Sequence, residues 1–220
     1  MVSIGLEDLE TKSWTHKCAG TIITSNAILT SSKCLEFEGN KTIKAGAENL
    51  ESPEAGSYVE TYEVSQNFAS LATNDLAVVY TTQNMHFNKK TQAICLPEKA
   101  TEKTQRNVGG DFNIFQQQGK DSVIVNKDST IVYNNECNSW SWLDLTCCSK
   151  VCVELDIVDH EYPPYFHPKD SGAPLIQEER NFEVVGILAD LDEEDGMNPG
   201  VFAYVKHPDN FECIKSSTKS

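Results

Sequence analysis

The sequence predicts an all-β fold, either a sandwich or a barrel, and three observations support this class. Short segments of alternating or β-branched residues recur along the whole chain of 220 residues. Turn-forming stretches separate these segments, as at 51–56 and 107–111. A chain of this length buries a full core as one large unit or as two small barrels, so it needs no partner in order to fold.

The predicted strands follow one another from the first residue to position 205. They are Met1–Leu6, Thr21–Leu29, Tyr58–Val64, Leu76–Tyr80, Ser122–Val125, Thr130–Tyr133, Val151–Ile157, Val184–Leu188 and Val201–Val205. One helix follows them, because Pro208-Asp209-Asn210 supplies a helix start and Phe211 and Ile214 then share an apolar face. The polar segment after Leu96 contains a proline and predicts a boundary there, which gives units 1–98, 99–207 and 208–220.

The net charge of −15 limits the classes of partner. Phosphate backbones and anionic membrane surfaces are bound by clustered Lys and Arg, so we expect no nucleic-acid partner and no membrane partner. No apolar run reaches the roughly 18 residues of a membrane span. The charge favours a basic or neutral protein as partner, and a role in solubility alone explains it equally well.

Eight cysteines in a β-rich chain predict an oxidising compartment, and hence a secreted protein. The first residues lack the features of a signal peptide, so we expect such a segment to lie outside this sequence. No two histidines have metal-ligand spacing, and we expect no metal and no other cofactor. The five histidines are expected to be exposed or hydrogen-bonded. Asn40-Lys41-Thr42 is a candidate glycosylation site.

Six segments occur in the order that a known family uses. They are Cys18-Ala19-Gly20 through Thr30-Ser31-Ser32-Lys33-Cys34, Asn74-Asp75-Leu76-Ala77, Ile94-Cys95-Leu96-Pro97, Lys169-Asp170-Ser171-Gly172-Ala173-Pro174, Val185-Gly186-Ile187-Leu188 and Asn198-Pro199-Gly200-Val201-Phe202. Together they resemble the trypsin-like serine proteases. The resemblance implies two antiparallel six-stranded β-barrels with a short C-terminal helix. It makes 1–98 the N-terminal barrel, 99–207 the C-terminal barrel and 208–220 a helix and tail packed on them.

The resemblance also places the catalytic triad, and it puts Lys33 where the base histidine belongs. The other two positions are Asp75 and Ser171. A nucleophilic serine needs a base, and a lysine beside an aspartate is expected to stay charged and serve poorly. The sequence therefore predicts no catalytic residues and no enzyme. The alternatives are a residual hydrolase that uses Ser171 with Lys33, and a decoy for protease inhibitors.

Four further positions depart from the family pattern around the cleft. Lys169 replaces the glycine whose N–H donates to the oxyanion, and its β-carbon is expected to disturb that geometry. Asp190 and Leu191 replace the tryptophan and glycine that admit a substrate backbone, so Leu191 is expected to crowd the cleft. Tyr165 lies in the altered base of the specificity pocket. The acidic run 190–195 that begins there is either a solvated loop or a contact for a cation or basic partner.

The family spacing implies two disulfides, Cys18 with Cys34 and Cys137 with Cys152. A third pair, Cys95 with Cys213, is assigned without support from that spacing. Cys147 and Cys148 remain, and they either pair with each other, pair between chains or rearrange the 137–152 loop.

Active relatives pair the residue at Asp170 with a new amino terminus that reads Ile-Val-Gly-Gly. That segment is absent from this sequence. We therefore expect the loop around Ser171 to be zymogen-like or to be held by other contacts.

A more specific resemblance is to the inactivated serine protease paralogues of the scabies mite, which are related to the mite group 3 allergens. That resemblance implies secretion into the gut lumen and binding of host defence proteins, with complement components as the expected partners. It gives neither the binding surface nor the oligomeric state.

Overall fold

The computed structural model describes residues 1–8, 10–49, 59–71, 75–101, 112–118, 123–132, 149–155, 166–178, 181–189 and 200–218. These residues form two closed antiparallel barrels of six strands each and a short C-terminal helix. The predicted fold class is therefore confirmed. In the described part of the chain, no helix has the length and apolar character that a membrane crossing requires.

The first barrel comes from the N-terminal part of the chain. Its strands are β1 (Val2–Glu7), β2 (Trp14–Ile22), β3 (Ala27–Thr30), β4 (Lys41–Ala45), β5 (Glu60–Leu71) and β6 (Leu76–Thr81), and their order around the barrel is β1-β2-β3-β6-β5-β4. Its interior is filled by branched aliphatic side chains such as Val2, Ile4, Ile28, Ile43 and Val79, all fully buried. They alternate with outward-facing residues along each strand, as a closed barrel requires.

The second barrel repeats this order with later strands. They are β7 (Phe112–Gln118), β8 (Val123–Val132), β9 (Lys150–Leu155), β10 (Pro174–Glu178), β11 (Phe182–Leu188) and β12 (Gly200–Tyr204), in the order β10-β11-β12-β9-β8-β7. Phe166 and Phe202 meet edge to face in its core, with ring centroids 5.6 Å apart.

A third buried cluster joins the two barrels. It combines residues of the first barrel, residues of the second barrel and one residue of the helix α1 (Pro208–Ser217): Ile23, Leu29, Val78, Val184, Ile187, Ala203 and Ile214. The Asn210 amide holds the start of α1 against the second barrel, since it donates to the carbonyls of Tyr204 (2.8 Å) and Ser149 (3.3 Å). At the other end, the Tyr80 hydroxyl donates to the Ser217 carbonyl at 2.6 Å. The predicted helix is thus present and ties both barrels together. The division at residue 98 stays a prediction.

The predicted strands differ from the observed ones at several points. Thr21–Leu29 contains a hairpin rather than one strand, because the Thr24 hydroxyl accepts the Ala27 N–H and turns the chain between β2 and β3. The predictions Ser122–Val125 and Thr130–Tyr133 belong to the single strand β8. Three strands were not predicted at all, namely β4, β7 and β10.

The cysteines confirm one predicted pair and overturn another. Cys18 and Cys34 form a disulfide with Cα atoms 5.8 Å apart. Cys95 and Cys213 are free cysteines, so the pair assigned to them is wrong. Burial raises the pKa of the Cys213 thiol, which disfavours the thiolate that disulfide formation needs. Cys152 is disulfide-bonded, whereas its predicted partner Cys137, like Cys147 and Cys148, lies outside the described residues.

Candidate functional site

Ser171 lies directly after a short 3₁₀ turn, Pro168–Asp170. The turn is held at its start by His167, whose ring nitrogen Nδ1 accepts the Lys169 N–H at 3.3 Å. In return, the Asp170 carboxylate accepts the His167 N–H at 2.9 Å. Asp170 is buried, so the turn provides the donor that this carboxylate needs. The expectation that the loop is zymogen-like or held by contacts other than a new amino terminus stays a prediction.

The Ser171 side chain is buried, with 2 % of its surface exposed. Its hydroxyl lies 3.4 Å from the Ala189 carbonyl, a long hydrogen bond. Its N–H donates to the Pro168 carbonyl at 3.1 Å. An oxyanion hole needs backbone N–H groups that point at the reacting oxygen. In this conformation the N–H groups of Ser171 and Lys169 are both used within the turn, so the turn must open before they can bind an oxyanion.

Gly172 fixes the position of this loop against the first barrel. Its φ is +88°, and an added β-carbon would lie 2.1 Å from the Ala19 carbonyl oxygen. The Ala19 N–H donates to the Ser171 carbonyl at 2.9 Å, and the Gly172 N–H donates to Leu188 at 2.9 Å. Only glycine fits this close approach at this φ. The loop of the second barrel therefore rests on strand β2 of the first.

Lys33 lies on a second 3₁₀ turn, Ser32–Leu35, and is half-buried. The neighbouring Cys34 ties this turn to β2 through its disulfide with Cys18. Ala19, which holds the Ser171 carbonyl, is the next residue of β2. The structure thus brings the turn of Lys33 and the loop of Ser171 to the same segment of one strand, while their predicted roles stay predictions.

Asp75 lies just before β6, and its position is set by the pairing of β6 with β3. Thr30, the last residue of β3, is opposite Ala77 in that pair, and the turn that carries Lys33 begins two residues later at Ser32. The Asp75 carboxylate accepts a hydrogen bond from Lys150 Nζ at 2.6 Å, and both side chains are about one-fifth exposed. The expected pairing of Asp75 with Lys33 stays a prediction.

A buried relay of hydrogen bonds reaches the Ser171 loop from the first barrel. Trp14 Nε1 donates to the Ser3 hydroxyl at 3.1 Å, and that hydroxyl lies 2.7 Å from His16 Nδ1. His16 Nε2 lies 3.1 Å from the Lys169 carbonyl oxygen. Because a carbonyl only accepts, Nε2 carries the proton, and in the neutral ring Nδ1 accepts from Ser3. His16 is therefore a hydrogen-bonded histidine that holds the loop.

Two residues of this site were missed by the sequence analysis, Lys150 and His16. Neither belongs to a motif, and the contacts of Lys150 with Asp75 and of His16 with the Lys169 carbonyl join the two barrels. Of the altered cleft positions, Lys169 lies on the turn as expected, while Tyr165, Asp190 and Leu191 fall outside the described residues. Asn40 is exposed, as a glycosylation acceptor must be.

Nothing in the described ranges suggests a bound metal ion, because no three histidine, cysteine, aspartate or glutamate side chains are grouped to hold one.

Comparison with known proteins shows that the chain matches a protein family. Residues 2–211 match the family model for trypsin. The chain is 34 % identical to chymotrypsin-C of Bos taurus over 103 residues, which cover 44 % of this chain and 38 % of that protein. It is 25 % identical to transmembrane protease serine 11G of Rattus norvegicus over 225 residues, which cover 92 % of this chain and 50 % of that protein. A chymotrypsin of Phaedon cochleariae is 25 % identical over 138 residues, 57 % of this chain and 48 % of that protein.

These relatives correct one expectation. The chain was predicted not to be an enzyme, on the ground that Lys33 replaces the base histidine. The matched family and its relatives are named as proteases, which contradicts that prediction. The matches span at most half of these relatives' own lengths.

Proposed function

Because this chain belongs to the trypsin family of serine proteases, we propose that it is a secreted member that binds a host defence protein and interferes with its action. A complement component is the proposed partner, and the lumen of a mite gut is the proposed site of action. The resemblance to the scabies mite paralogues supports this partner class. The Cys18–Cys34 disulfide supports secretion, because such bonds persist in oxidising compartments.

The observation that carries this proposal is the closed loop around Ser171. With 2 % of Ser171 exposed and its N–H bonded to Pro168, an extended peptide has little access to it in this conformation. The outer surface then supplies the contacts for a partner. With a net charge of −15, that surface attracts a basic or locally positive protein and speeds the encounter.

The test is binding to purified complement components, measured by surface plasmon resonance as the salt concentration rises from about 0.05 M to 0.5 M. We expect the association rate to fall steeply over that range, because salt screens the attraction between the charged surfaces. Ser171→Ala should leave the affinity unchanged. An association rate that does not change with salt concentration, together with loss of binding in Ser171→Ala, would contradict the proposal.

The acidic run 190–195 is the proposed contact. Charge reversal of Asp192 and Glu193 to Lys should slow association several-fold. Glu36 and Glu38 are exposed and provide the matched control, since their reversal changes the net charge equally. Equal slowing by both pairs would assign the effect to net charge and exclude 190–195 as the contact.

A second candidate function is peptide or ester hydrolysis by Ser171 with Lys33 as its base, and the naming of the relatives as proteases favours it. Labelling of Ser171 by a fluorophosphonate tests this candidate, with Lys33→Met as the comparison. Labelling that depends on Lys33 would support hydrolysis.

The remaining alternative is a decoy for protease inhibitors. In that case an active-site-directed inhibitor would compete with the natural partner for binding.

A further inference from the structure

The ion pair between Lys150 and Asp75 joins the two barrels. Asp75 precedes β6 of the first barrel, and Lys150 begins β9 of the second. Lys150 Nζ lies 2.6 Å from Asp75 Oδ2, within the range of a strong charge-assisted hydrogen bond. The side chains are 19 % and 20 % exposed, so water screens them less than an open surface pair.

The two residues of this ion pair lie on opposite sides of the candidate site, Asp75 on the side of Lys33 and Lys150 on the side of Ser171. Asp75 immediately precedes β6, and β6 pairs with β3, whose last residue Thr30 lies two residues before the turn Ser32–Leu35 that carries Lys33. On the other side, β9 pairs with β12, and Val201 of β12 accepts the Ala189 N–H at 2.8 Å. The Ala189 carbonyl is the group that the Ser171 hydroxyl contacts. The ion pair therefore spans the two walls that hold Lys33 and Ser171.

The backbone of Asp75 shows that this arrangement is held under strain. Its φ is +53°, in the left-handed region that residues other than glycine adopt at a cost. Aspartate tolerates this region better than most residues, yet it still needs compensating contacts. The hydrogen bond from Lys150 is such a contact.

We propose that Lys150 is a positioning residue whose ammonium holds Asp75 in the left-handed conformation and keeps the two barrels closed over Ser171. Loss of the ion pair lets the barrels separate at this point and makes position 171 accessible. This inference is independent of what the chain binds or hydrolyses, because it concerns access alone.

Access is measured with a thiol at position 171. In a Ser171→Cys protein that also carries Cys95→Ser, the rate of alkylation by iodoacetamide is followed by mass spectrometry of the peptide that contains position 171. Lys150→Gln should raise this rate about fivefold, since a partly exposed ion pair shifts an opening equilibrium by roughly that factor. Lys150→Arg keeps the charge and should return the rate to its original value.

Lys206→Gln is the matched control. Lys206 also forms an ion pair of similar exposure, 3.6 Å from Glu183, but that pair lies within the second barrel. Its loss should leave the alkylation rate unchanged. The proposal is overturned if Lys150→Gln and Lys206→Gln have the same rate, or if Lys150→Arg is as fast as Lys150→Gln.

Two further measurements keep the test decisive if Lys150→Gln folds poorly. About 1 M salt should raise the alkylation rate when Lys150 is present. The exchanged pair, Lys150→Asp with Asp75→Lys, should restore slow alkylation relative to Lys150→Asp alone. No response to salt, or fast alkylation in the exchanged pair, would overturn the proposal.

Discussion

His16 shows how one buried side chain holds the loop of the candidate site although it lies far from that loop in the sequence. It lies on β2, and it links the Ser3 hydroxyl to the Lys169 carbonyl through the two nitrogens of one ring. Only 3 % of the residue is exposed, so water cannot take over these hydrogen bonds. The neutral ring with its proton on Nε2 satisfies both partners at once.

Replacing His16 should therefore be costly. His16→Phe keeps a ring of similar size but removes both hydrogen bonds, so it should lower the free energy of unfolding by about 2–4 kcal/mol. Urea unfolding measures this change. His86→Phe is the control, because the His86 side chain is 82 % exposed and its loss should cost at most about 0.5 kcal/mol. Equal effects of the two changes would exclude a structural role for the relay.

The sequence offered Lys33, Asp75 and Ser171 as candidates because each lies within a short motif that resembles a segment of the trypsin-like proteases. It could not predict the contact of Lys150 with Asp75, 75 residues away, or that of His16 with Lys169, 153 residues away. Contacts of this kind depend on how two barrels pack, and no spacing in the chain encodes them. The same limit explains the wrong Cys95–Cys213 pair, which rested on no motif.

At the scale of the elements, strands with clear alternation were predicted and strands with unusual composition were missed. Strand β4 reads Lys-Thr-Ile-Lys-Ala, and its Lys44 is 2 % exposed. A buried lysine is rare, so a segment with two lysines in five residues does not have the apolar alternation by which strands are predicted. The structure accommodates Lys44 because its ammonium lies 3.8 Å from Glu7 and 4.9 Å from the centre of the Trp14 ring.

Strand β12 carries a tyrosine whose ionisation should couple to stability. Burial raises the pKa of Tyr204 to about 12, from 10.0 for the free side chain. The fold thus favours the neutral phenol. Its contribution to stability is complete below about pH 10 and is lost as the pH rises towards 12. A difference of this size corresponds to a maximum of about 3 kcal/mol.

The phenylalanine variant tests this coupling. Tyr204→Phe keeps the buried ring and removes the ionising group, so its free energy of unfolding should fall less than that of the original protein between about pH 8 and pH 11.5. Lysines that titrate in this range contribute equally to both proteins. Urea unfolding at the two pH values gives the comparison. An identical loss in both proteins would show that Tyr204 ionises as it does in the unfolded chain.

For the whole molecule, the buried cluster between the barrels should make them unfold together. Ile187 of β11 is fully buried in that cluster and shares it with Leu29 and Val78 of the first barrel. A cavity at Ile187 removes contacts from both barrels at once. Two barrels that shared no such core would instead respond separately to a change in one of them.

Ile187→Ala should therefore destabilise both barrels by the same amount, about 2–5 kcal/mol for a buried isoleucine. Hydrogen exchange in increasing urea measures the stability of each barrel separately. The peptide that contains β1 reports on the first barrel, and the peptide that contains β12 reports on the second. Both should lose protection at the same urea concentration, and both should shift together in the variant. Phe182→Ala is the control, because Phe182 lies on the same strand but is 57 % exposed. In that variant the free energy of unfolding reported by each peptide should stay within about 0.5 kcal/mol of the original value. A shift confined to β12 would mean that the barrels are separate folding units, because the first barrel would then retain its stability without the contacts of Ile187.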